Sequence, residues 1–275
     1  MFAIRLLPFC CVDAQSSVMW FSYQILKEMK RFLRPSTWIV ALCAVLPTVS
    51  AAQEVTVFAA ASLRDALGTI AAEYQRETDV DVVLVFAASS AIARQVAQGA
   101  PADVVLLADE DWGKWLIDQG TVGGVDVFAS NRLVLVARGD TGLLPPDLSQ
   151  ILEGELIAMA QVDAVPAGRY GKSALTSLGL WDDVAQNVVQ AANVRAALRF
   201  VQRGEVGFGI GYASDLIALP DLHEVYGFGA DTHPMILYSG AHLTKQGDDF
   251  MTYLQSVTAQ DVLGDWGFAP VPDAP

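Results

Sequence analysis

Residues 54–108 read EVTVFAAASLRDALGTIAAEYQRETDVDVVLVFAASSAIARQVAQGAPADVVLLA. Three short apolar runs (54–60, 82–86 and 103–108) are separated by two stretches of helical period. In the first of these, Leu63, Leu67, Ile70, Ala71 and Tyr74 recur at the spacing that puts them on one helix face. The second, 90–98, is stopped by Gly99 and Pro101. Strands that read as near-continuous apolar runs are covered on both faces, and strands alternating with helices must cross over. The stretch therefore predicts a parallel sheet with helices on its two faces.

The same grammar continues outward. A helix is expected over 112–119, ended by Gly120, and a strand over 132–137. Turn residues crowd 139–146. Strands are then expected at 156–160 and 206–212, and helices at 168–178 and 194–203, ended by Gly179 and Gly204; Ser214 opens a short helix. Last come a strand at 234–239 and a helix at 247–257 with Phe250, Tyr253, Leu254 and Val257 on one face. This late pair returns to a body that already has its own strands. The expected organisation is two α/β units, 53–131 and 132–232, with 233–275 returning to the first.

Upstream, Met29-Lys30-Arg31-Phe32-Leu33-Arg34 is a basic segment, 37–49 an apolar one, and Ser50-Ala51-Ala52 a set of small residues. That order is the grammar of a cleaved secretion signal, and the apolar part is too short for a membrane span. Met29 is a good internal start, which makes 1–28 either a mis-called start or an extension, and 1–52 is set apart from the fold. Leu42 precedes Cys43 where a lipid-attachment signal wants a small residue. All three cysteines (Cys10, Cys11, Cys43) fall in this segment, so the mature chain needs no disulfide.

Of 17 basic and 31 acidic residues, five and two lie before residue 53, leaving 12 and 29 and a net charge of −17 for the remainder. Such a surface excludes nucleic acid as a partner, since that needs a basic footprint. No spacing of His223, His233 and His242 matches a metal motif. Gly207-Phe208-Gly209-Ile210-Gly211 lacks the last glycine of a dinucleotide loop, because Tyr212 stands there.

Four expected helix starts carry small or neutral residues: Ser62, Ser89, Ala167 (in Val165-Pro166-Ala167-Gly168) and Val194, which follows Asn193, a plausible cap. A helix start leaves N–H groups unpaired and carries the positive end of the dipole. Several such ends meeting at one point would hold an anion without a cation. Tyr212, ending the glycine-rich strand, could add a phenolic O–H. On spacing alone each serine is better read as a cap and the glycine-rich strand as close backbone packing. Arg64, Arg94, Arg169 and Arg195 lie near the same helix starts; the alternatives are a clamp on the anion and pairing with the many carboxylates, and we prefer the second. Trp112 and Trp115 read as packing.

VTVFAAASL (55–63), FAASSAIARQ (86–95), GAPAD (99–103), VPAGRYGKSAL (165–175), NVRAAL (193–198), GIGYASD (209–215) and WGF (266–268) together resemble the periplasmic molybdate-binding proteins of molybdate ABC transporters. The likeness runs in order through most of 54–268. It implies an α/β, two-lobed type II periplasmic-binding-protein fold, with two mixed sheets flanked by helices and a hinge between the lobes. It also implies a monomeric, periplasmic solute-binding protein that delivers molybdate or tungstate to a membrane permease, with no catalysis, no cofactor, and molybdenum bound only as the oxyanion. Carried over position by position, Ser62 and Ser89 would give hydroxyl and backbone N–H groups, Ala167 and Val194 backbone N–H groups, and Tyr212 its hydroxyl. Ala88, Ala91 and Asn193 depart from the serine, threonine and aspartate common at those places. Two other readings remain at this stage. One keeps the fold with another oxyanion or a small organic acid. The other is a secreted hydrolase using Ser62 or Ser89, which needs a base beside the serine.

Overall fold

The computed structural model describes residues 53–139 and 147–272. The segment read as extension and signal, and most of the turn-rich 139–146 stretch, lie outside the described residues. Within those residues no helix is long and apolar enough to cross a membrane.

The first sheet contains β1 (Glu54–Ala60), β2 (Asp81–Ala87), β3 (Val104–Leu107), β4 (Asp126–Asn131) and β10 (Ile236–His242), in the order β2-β1-β3-β10-β4. β1, β2 and β3 are parallel, and β10 runs antiparallel to both β3 and β4. The second sheet contains β5 (Leu133–Arg138), β6 (Ile157–Ala160), β7 (Val188–Ala191), β8 (Phe208–Tyr212) and β9 (Leu222–Gly227), in the order β7-β6-β8-β5-β9. Here β5 is the antiparallel strand, between β8 and β9. The two sheets repeat one plan. In each, the fourth place is filled by a strand that has just arrived from the other sheet: β5 follows β4 across Arg132, and β10 follows β9 across residues 228–235.

Strand alternation sorts the core of the first lobe. Val55, Val57, Val104 and Leu106 face one way with Leu67, Ile70, Phe250 and Leu254. These come from helices α1 (Arg64–Thr78) and α9 (Lys245–Leu254). Phe58, Val105 and Leu107 face the other way with Ile92, Val96 and Leu116, from α2 (Ser89–Ala97) and α3 (Asp111–Asp118). A period of two with both faces apolar is what a doubly covered strand requires. The GAPAD segment ties this lobe together. Asp103 accepts from Thr56 N–H (2.8 Å) and the Thr244 hydroxyl (2.6 Å), joining β1, the entry to β3 and the start of α9.

The second lobe adds α4 (Leu148–Leu152), α5 (Pro166–Ser177), α6 (Trp181–Val184), α7 (Val194–Gln202) and α8 (Asp215–Ala218), and α10 (Val257–Asp265) follows α9 at the end of the first lobe. The glycines of β8 let α7 lie on the sheet. A Cβ at Gly209 would stand 2.7 Å from Val201 Cγ2, and one at Gly211 2.8 Å from Leu198 Cδ1. The Gly207–Gly211 segment is thus a close-packing device, not a ligand loop.

Three strands escaped the sequence reading: β4, β7 and β9. Each is the outermost strand of its sheet. The 247–257 helix also proves to be two elements, α9 and α10, separated by a cap at Ser256 whose hydroxyl accepts from Ala259 N–H at 3.3 Å.

Candidate functional site

The register of the parallel strands prepares the site. β1 and β2 finish level, Ala60 paired with Ala87, and β6 and β7 finish level, Ala160 paired with Ala191. Ser62 and Ser89 each stand two residues past such a paired end. Ser62 sits in a 3-10 turn (Ala61–Leu63) leading into α1, and Ser89 is the first residue of α2. Ala167 is the second residue of α5, and Val194 the first of α7. Tyr212 ends β8, paired with Leu133. In an α/β sheet the carboxyl ends of parallel strands and the amino ends of the following helices form the natural crevice.

All five residues line one small cavity between the lobes. The wall is completed by Ala60, Ala61, Ala88 and Ala108 from the first lobe and by Val165, Pro166 and Asn193 from the second. Among the described residues no charged side chain and no histidine lines it. Ser62, Ser89, Ala167, Val194 and Tyr212 are all buried.

The wall is rich in unspent donors. The starts of the Ser62 turn, α2 and α5 have no side-chain cap, so their first N–H groups are not taken by the protein's own side chains. At α7, Asn193 Oδ1 accepts from Ala196 N–H at 2.9 Å, which leaves the N–H of Val194 outside that cap. Pro166, lacking an N–H, fits the first position of α5. Gly168 lets this end approach β6, since a Cβ there would lie 2.3 Å from the carbonyl oxygen of Ala160. Tyr212 Oη is buried without a hydrogen-bond partner. Burial, first of all, raises the pKa of this phenol well above its ordinary value, so it remains a donor at neutral pH. An unpaired buried hydroxyl costs about 1–3 kcal/mol, a cost recovered when an acceptor arrives.

The four arginines near these helix starts are engaged elsewhere. Arg195 pairs with Asp65 of the first lobe (2.8 Å) and with fully buried Asp215 (2.6 Å). Arg169 reaches across the lobes to Asp109 (3.1 Å) and Asp111. Arg64 lies over the Phe86 ring (4.5 Å) and Arg94 over the Trp112 ring (4.9 Å). Trp112 meets Trp115 edge-on at 5.3 Å, and its Nε1–H donates to the Ala164 carbonyl across the cleft at 2.9 Å. The lobes are thus fastened to one another around the cavity by groups that do not enter it. Burial raises the carboxyl of Asp109 to about 7, more than the Trp112 N–H and Arg169 can offset, while Asp111 and Glu110 add to the rise.

A model of the bacterial extracellular solute-binding protein family matches residues 55–269. The chain belongs to this family. Among similar proteins is the molybdate-binding protein ModA of Haemophilus influenzae, 36% identical over 80% of this chain and 91% of the relative. ModA of Escherichia coli is 35% identical over 78% and 88%. A solved periplasmic molybdate-binding protein from Azotobacter vinelandii superposes with a TM-score of 0.71, at 22% identity, covering 80% of this chain and all of that one. The fold is therefore the two-lobed type II periplasmic-binding-protein architecture, and the chain is an extracytoplasmic solute-binding protein.

Within that family frame, the residue that sequence reasoning missed is Tyr238. Its Oη donates to Ser62 Oγ at 3.0 Å, over a separation of 176 residues. The strand bearing it was legible, but nothing local in PMILYS signals which distant hydroxyl the tyrosine meets. Ala108, whose N–H donates to Ser89 Oγ at 2.9 Å, was equally silent. Ser62 is thus held by a phenol and Ser89 by a backbone amide.

Proposed function

We propose that this chain is the solute-binding component of an ABC importer and that it holds molybdate or tungstate, as the intact oxyanion, in the cavity between its lobes. Ser62 and Ser89 would give hydroxyl and backbone N–H groups, Ala167 and Val194 backbone N–H groups, and Tyr212 its phenolic O–H. The observation that carries the reading is the unpartnered Tyr212 hydroxyl, buried beside uncapped helix starts in a cavity without a charged side chain. Such a wall suits a small dianion with several acceptor oxygens and no proton of its own. A cation would find no carboxylate there, and an organic acid of any length would find little room. The molybdate binding of the Haemophilus influenzae and Escherichia coli relatives supports the same ligand.

In this reading the protein acts in the periplasm after loss of a signal segment within 1–52, works as a monomer, and presents its closed lobes to a membrane permease. Closure needs no cofactor: the guest itself satisfies donors from both lobes and so favours the state in which they meet. Titration calorimetry with molybdate, tungstate, sulfate and phosphate tests it. At about a hundredfold excess over Kd the ligand contributes about 2.7 kcal/mol to stability. For a chain of this length that raises Tm by roughly 5–10 °C. Absence of heat and of any Tm shift with both molybdate and tungstate would overturn the proposal.

A further inference from the structure

The cavity's serines are themselves held by donors from behind. Tyr238 stands on β10, the strand returned to the first sheet, and its side chain is fully buried. Its ring meets those of Phe128 (6.2 Å), Tyr212 (6.0 Å) and Phe268 (5.2 Å) edge-on, which fixes where its hydroxyl points. Asn131 Nδ2 donates to Tyr238 Oη at 3.5 Å while also donating to Ser214 Oγ at 2.8 Å. With a donor on that side, the phenol's own proton goes to Ser62 Oγ. A serine oxygen that already accepts a hydrogen bond is biased to direct its proton elsewhere, and Ser62 lines the cavity. At Ser89 the N–H of Ala108 plays the same part.

We propose that Tyr238 is a specificity-determining positioning residue: its donation to Ser62 Oγ holds that hydroxyl as a donor toward the guest, so the site admits fully deprotonated oxyanions and rejects those that carry a proton. The inference rests on the oxyanion reading above and adds the device that enforces it. Monohydrogen phosphate and sulfate have the same charge and nearly the same shape, but phosphate brings an O–H that must find an acceptor. Among the described residues no carboxylate lines the cavity to supply one. A serine released from Tyr238 could turn and accept that proton; a serine loaded by it is poorly placed to do so. Tyr238 touches no guest in this scheme and acts only through Ser62.

The test measures affinities for molybdate, sulfate and phosphate at pH 8, where phosphate is chiefly the monohydrogen dianion, in the unaltered chain and in Tyr238→Phe. The substitution keeps the ring and removes one hydroxyl. Molybdate affinity is expected to fall about tenfold, and the phosphate-to-molybdate affinity ratio to rise about tenfold. In a Ser62→Ala background the same substitution should leave the ratio unchanged, because the group through which Tyr238 acts is gone. An unchanged ratio in Tyr238→Phe, or an equal change in both backgrounds, overturns the proposal; a purely structural role would weaken all three ligands alike. Should the variant not fold, the unaltered chain decides: sulfate must compete with molybdate more strongly than phosphate does, and equal competition refutes the device. Failure of the unaltered chain to bind molybdate or tungstate is a separate result and strikes the function, not Tyr238.

Discussion

At the scale of single residues, the site is a set of costs that the folded chain carries until a guest arrives. Tyr212 is the clearest case, a hydroxyl buried on the cavity wall without a partner. Tyr212→Phe removes that cost and the donor together. The ligand-free variant is expected to be more stable by about 1–3 kcal/mol, with affinity for the oxyanion lowered by roughly tenfold to a hundredfold, the loss of one charge-assisted hydrogen bond. Thermal melts without ligand and calorimetric titrations with it check the two halves, whose opposite signs mark a binding group rather than a structural one. Asp109, outside the cavity, carries a cost of a different kind, set by pH and not by the guest. Its carboxyl, raised by burial to about 7 in the folded chain, lies near 3.8 in the unfolded one. The folded state therefore binds the proton more tightly, so this group's contribution is fully present below about pH 4 and is lost as pH rises through about 7. The loss is at most about 4 kcal/mol, from roughly three pH units. Asp109→Asn should flatten the fall in Tm between pH 4 and pH 7.5, and an unchanged slope would assign that fall to other groups.

Among the elements, close approach decides position. Helix α7 brings Val194 to the cavity only because β8 presents no side chains toward it at Gly209 and Gly211. Gly209→Ala places a methyl 2.7 Å from Val201 Cγ2, and overpacking of this kind costs about 1–3 kcal/mol. Both Tm and oxyanion affinity should fall, since the helix must shift away from the strand end that positions it. A drop in Tm with affinity intact would show that α7 tolerates the shift. The same scale explains what was legible. The central strands β1, β3, β5, β6, β8 and β10 have a neighbour on each side and carry apolar runs, so their sequences announce them. The outer strands β4 (DVFASN), β7 (VVQA) and β9 (LHEVYG) have a neighbour on one side only and mix polar with apolar residues. Their pairing comes from the strand beside them, which no local pattern records. β2 was legible despite its edge place because VVLVF is itself apolar.

For the whole molecule, the two lobes are joined by paired crossings and fastened by Arg195–Asp65, Arg169–Asp109 and the Trp112–Ala164 hydrogen bond. These ties lie outside the cavity, so the guest is met by neutral groups while charge is spent on holding the lobes together. That division reconciles a strongly acidic chain with an anionic guest: helix-end dipoles act within about a turn, and surface charge is screened over about 8 Å at physiological salt. The sequence by itself determined the α/β class, the central strands, the helix starts and, through its motif blocks, the family and the five residues proposed to touch the ligand. These are properties of local period, of capping chemistry and of short runs whose meaning does not depend on distant partners. Only the tertiary structure decided that Ser62, Ser89, Ala167, Val194 and Tyr212 share one small cavity, that the arginines turn away from it, and that Tyr238 stands behind Ser62. Those outcomes depend on strand order and on which side chains meet across more than a hundred residues, and no window of sequence contains that information.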